Sequence, residues 1–369
     1  MKKKGIYIKY LNIINYRNFK NFAINIESGL KPVILTGNNG IGKTNILESI
    51  SLLAPGKGLR KTKLTDFCKF GEHSWKTIHI LEGKLGTSEI INTASLGSNT
   101  RNITYNGTQI TNLELTKLVN VIWITPQMNT LFIEAPNTRR KLLDRIVNNF
   151  DIFHVNKLVH YEYYMKQRMS ILRKEGNHNY THNNKILDTI EEKMSSYAKS
   201  IQLSRNNVIN LIQLAFDKMD FDFPKMSFLI NDLSRDITKN TNGDYIDKFI
   251  QNLKNYRYKD ALSNRTNFGV HRIDFTVLNK NTSATANLCS TGEQKIMLLS
   301  TILSAVQALM TNKNCFPILL LDEFFIHLDS RYRECLYNYL LGNGLQNFIT
   351  SNSLEAIQTI AKHSEIIKL

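Results

Sequence analysis

The sequence predicts an α/β phosphate-loop nucleotide-binding fold interrupted by an inserted α-helical lobe. Three observations carry this expectation. Gly37-Asn38-Asn39-Gly40-Ile41-Gly42-Lys43-Thr44 matches the G-x-x-x-x-G-K-[ST] pattern at every fixed position. Pro317 to Glu323 is a continuous apolar run that ends in two carboxylates, Asp322 and Glu323. Between these two stretches the apolar period lengthens to the three- and four-residue steps of helices.

The flanks of the loop fit its chemistry. Val33-Ile34-Leu35 reads as a short buried strand, and Asn45 to Leu53 has the apolar spacing of a helix that starts at the loop. Glycines let backbone N–H groups close on phosphates, the helix N-terminus adds partial positive charge, and Lys43 reaches the terminal phosphates. Thr44 is positioned to place its hydroxyl on Mg²⁺. The expected ligand is therefore a nucleoside triphosphate.

The strand ending at Asp322 and Glu323 has the layout of a Walker B segment. There the first carboxylate holds hydrated Mg²⁺ and the second polarises the attacking water. Upstream, Ser290-Thr291-Gly292-Glu293-Gln294-Lys295 opens the apolar stretch Ile296 to Met310, presenting a hydroxyl, free N–H groups and a helix dipole to an anion. Placed shortly before a Walker B strand, it fits an ABC-type signature, and Leu328-Asp329 fits the D-loop. Lys43 and Asp322 lie far apart in the chain, so one nucleotide fold has been split. The expected parts are 1–136 and 259–369 for the ATPase domain and 137–258 for the helical lobe.

Composition narrows the partners. The chain has 369 residues, 42% of them hydrophobic, and a formal net charge of +16, which suits a polyanion: nucleic acid or an anionic membrane surface. Cys68, Cys289, Cys315 and Cys335 are scattered with no C-x-x-C pair, as in a reduced, cytoplasmic protein. No signal-peptide apolar region develops after Met1-Lys2-Lys3-Lys4. Ile296 to Met310 falls short of the roughly 20 residues of a membrane span, so no membrane partner is expected.

In chain order, residues 5–30 read as two strands joined through Asn15-Tyr16-Arg17-Asn18. After the loop helix, Pro55-Gly56-Lys57-Gly58 is a break, followed by a basic cluster, Arg60, Lys61 and Lys63, that is a candidate DNA contact next to the nucleotide site. Arg139, Arg140 and Arg168 are the next candidates. Short strands follow over 75–110, and Val121 to Ile124 reads as a buried strand ending near Gln127. Asn137 is the expected cap of the first lobe helix. Leu187, Ile190, Met194, Tyr197, Ile201, Val208 and Leu211 form one helical stripe, with the polar Ser204 in the series. Val155, Leu158, Met165, Met169 and Leu172 form another, with Glu162 out of pattern. These predict a short antiparallel hairpin; residues 187–212 span about 39 Å at about 1.5 Å per residue. His178 and His182 stand at a possible metal spacing, but no third ligand is nearby. From about 260, alternation through Phe268 to Phe275 predicts a return to strand and to the nucleotide domain.

Taken together these stretches resemble the RecF family, the short-armed relatives of SMC proteins among the ABC ATPases. The resemblance rests on Asn15 to Phe19, on the loop extended through Glu48, on Pro136 with Arg139-Arg140 and Leu143-Asp144, on Gly269-Val270-His271-Arg272, and on Ser290 to Lys295 with Leu319 to Asp329. It implies an ABC-type ATPase head split by a helical lobe, binding ATP and Mg²⁺. It further implies an ATP-dependent homodimer on single-stranded and gapped duplex DNA, with RecR and RecO as partners, serving repair, replication restart and the SOS response. The resemblance gives Gln127 the Q-loop role, on metal and in catalysis, and makes Asp322 the metal partner and Glu323 the general base. Ser290, Gly292 and Asp329 join the loop residues as nucleotide-binding positions, with Ser290 and Gly292 acting on ATP held by the other subunit. Glu293 stands where many signatures carry Gln, and Phe348 to Asn352 contains no H-loop histidine, which implies slow hydrolysis. Val270 replaces the usual Pro, and the Gly269–Arg272 element has no assigned role. The alternatives are an ABC transporter subunit, which would keep the motifs closer and carry the H-loop histidine, and a DNA-binding module whose nucleotide site does not hydrolyse.

Overall fold

In the computed structural model, residues 5–60, 62–83, 86–174, 185–220, 222–231, 242–353 and 357–369 are described. Lys61, His178 and His182 lie outside them. The chain forms two compact units: residues 1–129, 218–223 and 290–369 make the first, and residues 130–217 and 224–289 the second.

The first unit is built on two sheets. Strands β1 (Tyr7–Tyr16), β2 (Phe19–Asn25), β4 (Ser74–Gly83), β5 (Gly86–Ser95), β6 (Asn102–Tyr105) and β7 (Thr108–Gln109) form an antiparallel sheet in the order β2-β1-β4-β5-β6-β7. Strands β3 (Val33–Thr36), β8 (Val121–Ile124), β12 (Ile318–Leu321), β13 (Asn347–Ser351) and β14 (Glu365–Lys368) form a parallel sheet in the order β14-β3-β13-β12-β8. Every residue of β3, β8, β12 and β13 is buried; β8 and β12 accordingly run apolar without alternation, whereas β13 also buries Asn347, Thr350 and Ser351. Helix α1 (Lys43–Ser51) leaves the sheet directly after the loop. Its carboxyl end is pinned by Arg101, which donates to the Leu52 and Ala54 carbonyls at 2.6 and 2.7 Å. Helices α2 (Asn112–Leu118), α7 (Thr291–Asn312), α8 (Ser330–Gly342) and α9 (Gln358–Ala361) complete the unit.

Helix α7 runs 22 residues, longer than its apolar stretch alone, and by length and composition could cross a membrane. Yet 78% of its most apolar window is buried inside the protein, so its hydropathy is that of a core helix.

The second unit contains α3 (Pro136–Phe150), α4 (His154–Lys174), α5 (Lys185–Lys218) and α6 (Asn242–Ser263), with a small antiparallel sheet of β9 (Met226–Asn231), β10 (Asp274–Asn279) and β11 (Ala284–Thr285). Helices α4 and α5 pair antiparallel as the two stripes predict. Lys157 meets Ser204 at 3.1 Å, Arg168 meets Glu191 at 2.8 Å, and Met169, Leu172 and Leu187 share an apolar cluster. The polar Ser204 is explained, since its hydroxyl also donates to Asp151 at 2.7 Å. Two stripe positions behave otherwise: Val155 is 41% exposed and Leu211 only half-buried, while Ile212 is fully buried. Helix α6 adds Tyr245, Phe249 and Leu253 to the core, burying surface that a two-helix hairpin would leave open. Helix α3 starts at Pro136 behind Ala135, not at an Asn137 cap; proline fixes the first helical residue where a missing N–H costs nothing. Residues Phe268 to Ile273 are turn rather than strand, and this unit closes at Cys289.

The core of the second unit is held by buried charge as well as apolar area. Arg168, fully buried, donates to Glu191 at 2.8 Å, to Asp260 at 2.5 Å and to the Leu253 carbonyl at 2.7 Å. Arg257 closes the network on Glu191 at 2.6 Å and Asp188 at 2.6 Å. Breaking such a network strands uncompensated charge, so Arg168→Ala is expected to lower unfolding free energy by about 3–5 kcal/mol. Lys193→Ala, at an exposed position of α5, should change it by less than about 0.5 kcal/mol. Urea unfolding followed by helical circular dichroism measures both, and a loss below about 1 kcal/mol for Arg168→Ala contradicts the network's weight.

Candidate nucleotide site

Parallel pairing brings the carboxyl ends of β3, β13, β12 and β8 to one edge of the sheet, with Thr36 opposite Ser351, Leu321 opposite Ile349, and Leu321 opposite Ile124. Open α/β sheets place ligands at this edge. The phosphate loop rises from β3 and the acidic pair from β12, so two motifs from opposite ends of the chain meet there.

The loop conformation requires its glycines. Gly40 and Gly42 have φ of 79° and 118°, in the left-handed region. A Cβ on Gly42 would stand 2.4 Å from the Phe19 ring. Asn18 anchors the loop from outside, donating to the Ile41 carbonyl at 2.8 Å and accepting from Asn45 at 2.7 Å. Lys43, only 4% exposed, donates to the Gly37 and Asn38 carbonyls at 2.8 and 3.0 Å, which holds its ammonium over the loop.

Thr44 donates to Asp322 Oδ1 at 2.9 Å, and Thr350 donates to the same oxygen at 2.8 Å. Thr350 Oγ1 in turn accepts the Glu323 N–H at 2.8 Å. Burial pushes the Asp322 pKa up from the ordinary carboxylate value, against the hydrogen bonds from Thr350 and Thr44 that favour its ionised form. Glu323 sits at φ 49°, a left-handed turn that aims it away from the strand direction. A cavity of about 270 Å³ is lined by Asn39, Gly40, Lys43, Thr44, Arg60 and Glu323 among others. A smaller one of about 70 Å³ is lined by Asp322, Glu323, Asn129 and Lys295. Among the described residues no cluster of three or more His, Cys, Asp or Glu forms a metal cage. The Thr44 hydroxyl and Asp322 carboxylate are hard oxygen donors of the kind Mg²⁺ takes when phosphates and water complete its shell.

The remaining predicted positions are distributed as follows. Gln127 is exposed, in the turn after β8, and lines neither cavity; Asn129 does. Ser290 caps α7 in a capping box, its hydroxyl donating to Glu293 at 2.8 Å while Glu293 accepts the Ser290 N–H at 2.9 Å. Those bonds hold the Glu293 carboxyl below its usual range. Ser290 and Gly292 are exposed, and neither lines the phosphate-loop cavity of its own chain. Asp329 is exposed at the N-cap of α8.

Of the basic cluster, Arg60 turns into the loop cavity, donating to Asn45 at 2.8 Å and lying 3.6 Å from Glu48, while Lys63 is exposed. Arg139 and Arg168 are corrected as DNA candidates. Arg139 is 8% exposed and paired with Asp274 at 2.8 Å, and Arg168 is consumed by the buried network. Arg140 donates to the Ile273 carbonyl at 2.7 Å. The Gly269–Arg272 element acquires a structural role: Arg205 clamps Asp144 through two bonds of 2.8 Å and donates to the Val270 carbonyl at 2.8 Å, joining α3, α5 and the turn. A Cβ on Gly269, at φ 133°, would meet the Tyr161 hydroxyl at 2.1 Å.

Sequence reasoning missed Thr350, Asn129, Lys295 and Asn18 as site residues. Asn18 and Lys295 carried local signals, standing in the Asn15–Phe19 and Ser290–Lys295 stretches of the resemblance; Thr350 and Asn129 become adjacent to the site only through the sheet order.

The comparisons with known proteins agree with this geometry. The family model for the RecF/RecN/SMC N terminal domain matches residues 7–368. The DNA replication and repair protein RecF of Rickettsia prowazekii (strain Madrid E) is 41% identical over 366 residues, covering 99% of this chain and 100% of the relative. That of Rickettsia typhi (strain ATCC VR-144 / Wilmington) is 40% identical with the same coverage. The solved recombination mediator protein RecF-ATPrS of the RecFOR pathway superposes with a TM-score of 0.85 at 23% identity, over 100% of this chain and 97% of that one. An SmcHead bound to the C-winged helix domain of ScpA gives 0.53 at 14% identity, over 98% and 93%. These two structures share the fold, an ABC-type ATPase head. Matched by sequence over nearly its whole length and by structure over all of it, the chain belongs to the RecF family.

Proposed function

We propose that this chain is an ATP-dependent DNA-binding protein of recombinational repair, acting at single-strand gaps and in replication restart and SOS induction. It works as a cytoplasmic homodimer closed by ATP and Mg²⁺, with weak, DNA-dependent hydrolysis and with RecR and RecO as partners. The observation that carries the reading is the meeting of Lys43, Thr44, Asp322 and Glu323 at one sheet edge, in a chain whose close relatives are named DNA replication and repair protein RecF.

The residues divide the work by position. Lys43 and the loop N–H groups hold the β- and γ-phosphates, and Thr44 with Asp322 supplies the protein oxygens for Mg²⁺. Glu323, presented beside the loop cavity, takes the proton of the attacking water. Gln127 acts as the Q-loop ligand when the turn after β8 closes. The exposed Ser290 and Gly292 and the Asp329 turn act on ATP held by the second subunit, which makes the nucleotide part of the dimer interface. The net charge of +16 supports binding to the DNA backbone. Lys61, Lys63 and the outer side of Arg60 are the contacts proposed on the first unit.

Two experiments test this scheme. Lys43→Ala should weaken ATP binding about a hundred-fold, on the scale of one lost charge-assisted contact, and abolish ATP-driven dimers. Glu323→Gln should keep ATP bound, slow phosphate release about a hundred-fold or more, and accumulate dimer. Sizing chromatography with ATP decides, and a Glu323→Gln protein as monomeric as Lys43→Ala sinks the composite site. Ser290→Arg should leave monomer ATP affinity within a few-fold of wild type while destroying the dimer. A large affinity loss in the monomer would place Ser290 in its own subunit's site.

A further inference from the structure

The helical unit carries a cavity of its own, made entirely from its own residues and of about 590 Å³, a size suited to a small organic ligand. Four cations line it: Lys166 and Arg173 from α4, and Arg265 and Arg272 from the turn that follows α6. Among the described residues no acidic side chain does. The contrast with four other arginines of the unit is informative. Arg139, Arg168, Arg205 and Arg257 are each matched to a carboxylate. Among the described residues none of the four lining cations is so matched. Two of them are nonetheless held in place by neutral groups. Arg173 donates to the Asn264 carbonyl at 3.1 Å, and Arg272 to the Thr266 carbonyl at 3.1 Å. Guanidinium groups fixed on carbonyls keep their full charge and part of their donor fork, the arrangement that receives phosphate oxygens.

Two further features point to a ligand. Thr266 lines the cavity, is 4% exposed, and its buried hydroxyl has no hydrogen-bond partner among the described residues. His271 is not another cation. Its Nε2 lies 2.9 Å from the Thr266 carbonyl and so carries the proton, leaving Nδ1 to accept the Tyr161 hydroxyl at 3.1 Å. Burial pulls its pKa down to about 4, so it stays neutral. The His271 and Arg272 pair of the Gly269–Arg272 element thus builds one wall. Part of the lining is apolar: Met165 and Met169 stand one turn apart on α4, and thioethers pack well against flat rings.

We propose that this cavity receives one unpaired nucleotide of a nucleic-acid strand, its base against Met165 and Met169 and its phosphates against Arg173, Arg265, Arg272 and Lys166. A duplex fits poorly. Its bases are stacked and paired inside a convex rod, and extracting one costs a few kcal/mol that an unpaired base does not. The proposal rests on the DNA-binding reading above and assigns the single-stranded part of that partner to the helical unit.

The test is fluorescence anisotropy of a labelled oligothymidylate and of a blunt duplex of equal length, using the full chain with ATP. Lys166 and Arg265 are exposed, so Lys166→Glu/Arg265→Glu is read against a control of equal charge change, Lys141→Glu/Lys193→Glu, at exposed positions of α3 and α5. The pocket variant should lose about ten-fold or more in single-strand affinity beyond the control, and no more than the control on duplex. Lys166→Arg/Arg265→Lys should retain binding. Equal losses in pocket variant and control, or an excess loss on duplex as well, overturn the pocket and leave the DNA-binding reading standing. A wild-type protein that binds neither strand overturns both. Independently of any variant, a strand carrying one photoreactive thymidine analogue should cross-link wild type within Met165–Arg173 or Arg265–Arg272. Adducts confined to other peptides overturn the assignment.

Discussion

One carboxylate oxygen ties the nucleotide site together. Asp322 Oδ1 accepts both the Thr44 and the Thr350 hydroxyls, so the first turn of the loop helix, the end of β12 and the end of β13 are fixed to a single atom. Each strand is anchored independently by the parallel ladder, but ladder bonds do not set the height of a loop above the sheet edge. The shared oxygen does. Thr350 extends the constraint by accepting the Glu323 N–H, which settles the backbone turn that presents Glu323. Because Asp322 is nearly fully buried and its pKa is raised by that burial, the two hydroxyls also keep its ionised form accessible where a metal would need it.

This bears on what could be read from the residues alone. The loop and its strand, the acidic pair, the signature cap and the antiparallel helical pair were all legible, because each is local: a fixed spacing, a glycine at a left-handed φ, or a stripe at helical period. Thr350 was not. It stands in Phe348 to Asn352, the stretch inspected for a missing histidine, and nothing local marks a threonine on a buried strand as the partner of a carboxylate on the next one. Arg139 and Arg168 failed for the opposite reason. A sequence shows their charge but not the Asp274, Glu191 and Asp260 that neutralise it, and those partners sit on other elements. Helix α6 was missed because its polar residues, which include Arg257 and Asp260, are buried in ion pairs and blur the apolar period.

The same distinction sorts the basic residues of the helical unit. Buried guanidinium groups with carboxylates on both sides organise the core and are unavailable to a polyanion. Arg173 and Arg272, held by backbone carbonyls, remain available to whatever enters the cavity beside α4. Net charge measures the sum of both kinds and therefore overstates the binding surface; only the partner of each cation tells them apart.

The signature cap shows how a local motif can carry a functional constraint. In the proposed two-subunit site Ser290 would meet a phosphate with the hydroxyl it donates to Glu293, so closure would have to redirect that proton while the Glu293 carboxylate stays close by. The cap bonds hold Glu293 ionised, and a carboxylate beside an incoming triphosphate is repulsive. A glutamine at this position would keep the capping box, because its amide oxygen can also accept the Ser290 N–H, yet would carry no charge. The glutamate therefore keeps the helix start intact and, in the proposed two-subunit site, would make closure on ATP less favourable.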